Sequence, residues 1–526
     1  MILAPFSTVY ARSAMVCSID HLASSAGVAL LHAGGSAVDA AVGTNAVLTV
    51  TAQHMCGLGG DLFALVHRPG DARPAVLNAS GRAGSGADPE RLRAEGQRRM
   101  PFTGDIRSVP VPGCVDGWLA LHERFGRLPL ADVLEPARRY AADGFPATPF
   151  LAAATQALAG VEGADDFTLR EPLAPGSVVR RPAVARTLAG IARNGRTAFY
   201  GGEFGEALLR LGAGEYAPDD LERPLADWIE PLGLDVWDRR LWTVPPSSQG
   251  YLALAGAWLA ARLGLPADPD DPRWAHGLVE AAKQAAWDRP RLLHQDADGA
   301  ELLAPDRLER QLRGIDPRRA AALPGEYRAG GTVFLCARDG DGMGVSLIQS
   351  NYAGWGALLV APGTGIFLQN RGAGFSLEPG HPAEYGPRRR PPHTLSPLLV
   401  TRSDGSLDTL LGTMGGDSQP QILLQLLVRR YAAGQSPGGA VAAPRWVLAG
   451  EAPALGGTWA GDDAVTVVLE GHRPSWRKGL EARGHRVAEH AAGGHEFGHA
   501  HLISVEGDHL AGAADPRSLA GAALGI

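Results

Sequence analysis

Gly330-Gly331-Thr332-Val333-Phe334-Leu335-Cys336-Ala337 is the stretch on which the reading of this chain turns. Two glycines open a compact apolar run, the pattern of a buried strand. Asp339-Gly340-Asp341-Gly342 is a turn signal, and Val345-Ser346-Leu347-Ile348-Gln349-Ser350 reads as the return strand of a β-hairpin. The same stretch carries chemistry. A threonine hydroxyl is a poor nucleophile without a base beside it. A threonine at a chain terminus brings its own base, a free α-amine that titrates at about pH 8. In an uncut chain that nitrogen is an amide. Gly331 permits a strained geometry in which the Thr332 hydroxyl attacks the preceding carbonyl, and water then splits the chain. On these residues alone, a plain strand start stands beside the nucleophile reading.

Upstream of residue 331 the chain reads mainly as helices. Ser36 with Asp39 resembles a capping box, and the segment His21 to Leu31 ends at Gly34-Gly35, a plausible C-cap. Further helical stretches cover about Leu130 to Ala142, Ala183 to Asn194, Tyr251 to Leu263 and Trp274 to Trp287. Downstream, short strands around Ser396 to Val400, Val465 to Leu469 and Leu502 to Val505 indicate a strand-rich final third. The boundary at residue 331 is a change of texture with no linker composition.

The bulk numbers narrow the function classes. The chain has 526 residues, 45% hydrophobic and 20% charged, with a net charge of -7 and both signs spread throughout. That is an ordinary globular balance, and it lacks the concentrated basic face of a nucleic-acid binder. No apolar run is long enough to span a membrane, and the first residues lack the basic and apolar regions of a secretory signal. Cys17, Cys56, Cys114 and Cys336 are too sparse for a disulfide scaffold and lack metal-ligand spacing, so buried thiols and a cytoplasmic location are expected.

Several blocks, in order and over nearly the whole chain, resemble the γ-glutamyltransferase family. They are Ala29 to Asn45 (ALLHAGGSAVDAAVGTN), Cys56 to Phe63 (CGLGGDLF), Val111-Pro112-Gly113 and Pro245 to Gly250 (PPSSQG). Glu280 to Arg289, Thr332 to Asp339, Gly412 to Gly416 and Asp515 to Ser518 follow. The resemblance implies an α/β fold, the four-layer αββα sandwich of N-terminal-nucleophile hydrolases. It implies a self-cleaving precursor with a large α-rich fragment, 1–331, and a small β-rich fragment, 332–526, intertwined as one unit. Thr332 matches the processing and catalytic threonine, Ser350 the hydroxyl that hydrogen-bonds it, and Gly415 and Gly416 the pair whose amides form the oxyanion hole. Two adjacent glycines suit that role, since both N–H groups can turn toward one oxyanion. The substrate is a small-molecule amide, its acyl group passing to water or an amine. No cofactor, metal, nucleic acid or membrane is implied, and a homodimer of the two-fragment unit is left open.

The departures from the family lie in substrate recognition. In Leu77 to Ala83 (LNASGRA), Ser80 and Gly81 fall on the family's Arg-Glu positions, with Arg82 next in the chain. In Gln369 to Phe375 (QNRGAGF), Arg371 replaces a Glu or Gln and Gly374 an aspartate. Tyr352 replaces an asparagine, and His393-Thr394 replaces a Ser-Ser pair. An arginine repels a substrate ammonium, whereas its planar fork of donors matches a carboxylate. Arg82, Tyr352, Arg371, His393 and Thr394 are therefore the candidate substrate-binding residues. The acyl group is expected to lack an α-ammonium and to carry a carboxylate, as in glutaryl or oxamate-type amides; the pattern resembles the acylase and oxamate-amidohydrolase branch.

Two other classes remain in view. His495-Glu496-Phe497-Gly498-His499 matches the zinc-peptidase pattern, but its glycines disfavour the helix that pattern needs, and His499 to Val505 reads better as a strand. An uncut, non-catalytic binding member of the fold is the other. No Gly-x-Ser-x-Gly elbow, phosphate loop or dinucleotide fingerprint occurs.

Overall fold

The structure is a computed structural model that describes residues 7–168, 173–323, 330–449 and 465–526. Its frame is a pair of antiparallel seven-stranded sheets. The first runs, in spatial order, Ala522–Gly525, Met15–Ser18, Gly331–Arg338, Gly344–Tyr352, Asp61–His67, Ala75–Ala79 and Asp227–Ile229. The second runs Val9–Ala11, His509–Ala513, Ala500–Glu506, Leu407–Thr413, Leu398–Arg402, Arg239–Thr243 and Leu232–Val236. Each sheet takes strands from both sides of the Gly331–Thr332 bond.

Period-2 alternation sorts the hairpin residues between two cores. Val333, Leu335 and Ala337 face the helices that cover the first sheet, among them His21–His32, Ala37–Thr51 and Leu130–Asp143. Phe334 and Cys336 face the second sheet, where they meet Leu399, Leu410 and Ile503. The outer face of the second sheet is covered by Tyr251–Ala260, Pro272–Ala286 and Gln419–Tyr431. Three apolar clusters thus separate four layers, and the αββα sandwich implied by the resemblance is the observed fold.

The hairpin turn also fixes a helix. Ser36 and Asp39 form the expected capping box, with the Asp39 N–H donating to Ser36 Oγ at 3.1 Å and the Ser36 N–H to Asp39 Oδ2 at 2.8 Å. The Ala37 N–H donates to Asp339 Oδ2 at 2.9 Å, so the hairpin turn satisfies one of the helix's free N-terminal donors. All four cysteines are free and buried, and Cys17 lies opposite Cys336 on neighbouring strands.

Three expectations need correction. The region before residue 331 is less helical than its texture suggests, because Asp61–His67, Ala75–Ala79, Leu232–Val236 and Arg239–Thr243 are strands of the two sheets. Asp61–His67 is buried at every position, and such a run has no alternation to mark it as a strand. The helix beginning at Tyr251 ends at Ala260, and that beginning at Pro182 continues to Tyr200 through a break at Gly195, where φ is +55°. No helix among the described residues is long and apolar enough to cross a membrane.

Candidate active site

The hairpin strands slip against each other at the Gly331–Thr332 bond. Gly331 lies opposite Tyr352 and Val333 opposite Gln349, so Ser350 and Asn351 together face the single residue Thr332. This bulge kinks the strand at the point where chemistry is required. Thr332 is 1% exposed, with its Oγ1 3.1 Å from Ser350 Oγ and 2.7 Å from the Gly331 carbonyl oxygen. The Ser350 hydroxyl donates to that carbonyl at 2.6 Å and accepts the Tyr352 N–H at 2.7 Å. A relay follows: the Thr332 hydroxyl donates to Ser350, and Ser350 polarises the carbonyl that Thr332 would attack. Ser350→Ala should slow appearance of the two fragments by about 10²-fold, the usual loss for one donor to a developing oxyanion. A time course of band splitting after rapid expression reads that rate, and unchanged splitting would exclude the relay.

Gly415 and Gly416 arrive from the other sheet. They follow strand Leu407–Thr413 and precede helix Gln419–Tyr431, with φ of +140° and +57°. Such angles strain any residue with a Cβ. The close approach of the sheets depends on another glycine, since a Cβ on Gly412 would lie 2.2 Å from the Phe334 ring. A Cβ placed on Gly330 would fall 3.3 Å from Gly416 Cα, so the glycine pair lies against the chain leading into the scissile bond. Gln249 donates through Nε2 to the carbonyls of Gly416 and Thr394, both at 3.0 Å, tying the turn to the 390–394 segment.

Four of the five candidate substrate residues come together beside this centre. The Arg371 guanidinium stacks over the Tyr352 ring at 4.1 Å and donates from Nη1 to Thr394 Oγ1 at 3.0 Å. It is 1% exposed, and among the described residues it forms no ion pair and its Nε and Nη2 find no acceptor. Burial lowers its pKa to about 10, which leaves it charged at neutral pH. Tyr352 adopts φ of +78°, a strained conformation for an aromatic residue, and this turns its ring toward Arg371. His393 sits behind Thr394, its Nε2 3.0 Å from Asp61 Oδ2 and its Nδ1 accepting the Leu395 N–H at 3.4 Å. That pattern fixes the Nε2–H tautomer. Burial and then the Arg371 charge push its pKa down to about 4, against the raising pull of Asp61, so it is neutral at pH 7 and orients without titrating.

Arg82 stands apart from this group. Its guanidinium is taken by Asp227 Oδ2 and the Arg388 carbonyl, both at 3.3 Å, and Asp227 also pairs with Arg390. The zinc-peptidase pattern dissolves as well. His495–Phe497 is a single 3-10 turn, Glu496 points to His490 at 3.1 Å, and the His499 ring is buried on Phe150. Among the described residues, His276, Glu280 and His485 have ligand atoms within 4.8 Å of one another. The Lys283 ammonium, 3.0 Å from Glu280 Oε1 and 3.3 Å from His485 Nδ1, already supplies the positive charge there.

Sequence reasoning missed Asp61. It pairs with Ser350 across the sheet, and its Oδ1 accepts the Gly81 N–H at 2.7 Å and Gln369 Nε2 at 2.8 Å. One carboxylate therefore joins the nucleophile's strand to the loops of Gly81, Gln369 and His393. Its place in the Cys56 to Phe63 block was the available signal. Gln249 stood in the Pro245 to Gly250 block without a role, His499 was read only as half of the zinc-peptidase pattern, and His54, a lone histidine, carried no pattern.

Comparison with known proteins agrees with this geometry. The sequence model of the Gamma-glutamyltranspeptidase family matches residues 23–525. The chain is 37% identical to the Oxamate amidohydrolase proenzyme of Klebsiella pneumoniae, over 97% of this chain and 98% of that protein. It is 36% identical to the Glutathione hydrolase-like YwrD proenzyme of Bacillus subtilis, over 99% of each. The crystal structure of cephalosporin acylase from Bacillus halodurans superposes with a TM-score of 0.89 at 31% identity, covering 100% of this chain and 99% of that one. The chain belongs to the Gamma-glutamyltranspeptidase family.

Proposed function

We propose that this member of the family is an amide hydrolase that cuts itself at Gly331–Thr332 and then removes carboxylate-bearing acyl groups from small amides. Residues 1–331 and 332–526 are the two fragments of the active unit. In processing, Thr332 Oγ1 adds to the Gly331 carbonyl carbon and the C–N bond breaks. The resulting ester is hydrolysed to a Gly331 carboxylate, a free Thr332 α-amine and a restored hydroxyl. In turnover the α-amine takes the hydroxyl proton, Oγ1 attacks the amide carbonyl, and the Gly415 and Gly416 amides receive the oxyanion. The amine leaves with the proton, and water, or a second amine, releases the acyl group.

The observation that carries the substrate reading is the buried Arg371 guanidinium, stacked on Tyr352, with two donor nitrogens unpartnered among the described residues and Asp61 and Asp417 near enough to act on its charge without an ion pair. A buried guanidinium in this state is complementary to a substrate carboxylate and repels an ammonium. The similarity to an oxamate amidohydrolase proenzyme supports the same direction. A comparison of glutaryl and γ-glutamyl 4-nitroanilides tests it. The glutaryl compound, which has no α-ammonium, should be hydrolysed with a kcat/KM at least about tenfold higher, the cost of placing like charges together. A preference for the γ-glutamyl compound would overturn the acyl assignment. A chain that stays uncut and inert would instead be a binding member of the fold.

A further inference from the structure

Two imidazoles, on residues whose backbones border the scissile bond and the segment before Gly415, take no part in the chemistry above. His54 is 5% exposed and His499 1% exposed, and none of their four ring nitrogens has a hydrogen-bond partner among the described residues. Buried polar atoms are nearly always paired, so two wholly orphaned rings in one neighbourhood call for an explanation. They come from opposite sides of the cut. His54 lies in the turn after helix Ala37–Thr51, its carbonyl 3.5 Å from where a Cβ on Gly331 would stand. The His499 carbonyl accepts the Met414 N–H at 3.2 Å, one residue before Gly415. The backbone at one ring thus borders the scissile residue, and the backbone at the other borders the approach to the glycine pair.

Both rings pack on Phe150, with centroids 5.6 Å away in each case, and Trp355 lies 6.2 Å from His54. Phe150 belongs to the short helix Pro149–Ala154, which the Trp355 indole N–H secures by donating to the Ala154 carbonyl at 2.8 Å. Phe150 itself is half-buried, with His495 on its outer side at 5.5 Å. Burial drives both imidazoles down to about 3, so each is neutral at physiological pH and offers one donor and one acceptor. Arg445 and Asp515, whose charges reach His499, pair with each other at 2.7 Å.

We infer that His54, Phe150 and His499 form the subsite for the amine half of the substrate, and that it takes an uncharged aromatic or heteroaromatic amine. The inference rests on the amide-hydrolase reading, with the acyl carboxylate held at Arg371. The amine's ring lies against Phe150, and polar atoms on its edge fill the donor and acceptor positions of the two imidazoles. A charged amine would be stripped of water with no counter-charge to meet it. When the C–N bond breaks, the amine nitrogen takes the proton that left Thr332 Oγ1, so the leaving group departs neutral.

The test compares two amides with one acyl group, glutaryl 4-nitroanilide and glutaric acid monoamide, which releases ammonia. For Phe150→Ala the ratio of kcat/KM, anilide over monoamide, should fall about tenfold. Phe150→Leu, which keeps the apolar volume without the ring, should give an intermediate fall and guards against misfolding. Appearance of both fragments on a gel reports a folded variant. Equal losses on both amides in folded variants would overturn the subsite. If the wild type hydrolyses neither amide, the acyl reading fails separately, and titration of the mature protein with 4-nitroaniline then decides. Binding at least about fivefold weaker in Phe150→Leu supports the subsite, and equal or undetectable binding in both proteins overturns it.

Discussion

Thr332→Ala should yield a single uncut chain of 55.0 kDa with amide hydrolysis reduced by about 10⁴-fold or more, the scale seen when a catalytic nucleophile is removed. The wild type should separate into two bands, and mass spectrometry of the smaller should place its N-terminus at Thr332. The size of the effect follows from the double duty of one side chain. The hydroxyl at 2.7 Å from the Gly331 carbonyl performs the cut, and the cut creates the α-amine that later serves as base. Losing the hydroxyl therefore removes the nucleophile and the base together. Little of the fold depends on it, since among the described residues the Thr332 hydroxyl bonds to Ser350 and its own preceding carbonyl. Circular dichroism of the variant should match that of the wild type. Thr332→Ser keeps a hydroxyl at the same point and should still split. An alanine variant that produced the same two bands would place the cutting agent outside the chain.

The two halves of the site were unequally legible in the sequence, for a physical reason. The nucleophile depends on backbone events that leave a signature: paired glycines before a strand, an apolar hairpin, and a second glycine pair after another strand. Gly330, Gly331, Gly415 and Gly416 are readable because few other residues survive such close approach or such φ angles. The substrate side depends on which buried polar groups meet in space, and a single chain does not reveal that. Arg82 and Arg371 looked alike as arginines near matched blocks. Only tertiary structure separates them, by pairing the first with Asp227 and leaving the second with no ion pair among the described residues. Asp61 was concealed in the same way. Its neighbours in sequence read as a turn and an apolar run, whereas its partners Gly81, Gln369 and His393 come from three other segments. The strand Asp61–His67 was lost because burial on both faces removes the alternation that would mark it.

Arg371→Met is the variant in which function and stability should move in opposite directions. On glutaryl 4-nitroanilide, kcat/KM should fall by about 10²–10³-fold, corresponding to the roughly 3–4 kcal/mol lost when one partner of a buried charged pair is removed. Arg371→Lys should recover only part of this, because an ammonium is a point donor and cannot reproduce the fork of Nε and Nη2. The γ-glutamyl compound should lose far less, since the α-ammonium it carries is relieved of a repelling neighbour. Stability should respond the other way. In the free protein Arg371 is desolvated without an ion-pair partner among the described residues, and burial holds its pKa down at about 10. An unbranched apolar side chain in the same space should hold or raise the midpoint of thermal unfolding. A structural ion-pair arginine would behave in the reverse manner, with a large loss of stability and similar losses on both substrates. Differential scanning fluorimetry beside the two-substrate assay separates these cases. The stacking partner adds a further constraint. Tyr352 holds the guanidinium plane at 4.1 Å, so Tyr352→Ala should weaken glutaryl turnover by about tenfold while leaving the charge in place. If Arg371→Met lowered both anilides equally and destabilised the fold, the guanidinium would be a structural element, and the acyl carboxylate would have to be met elsewhere.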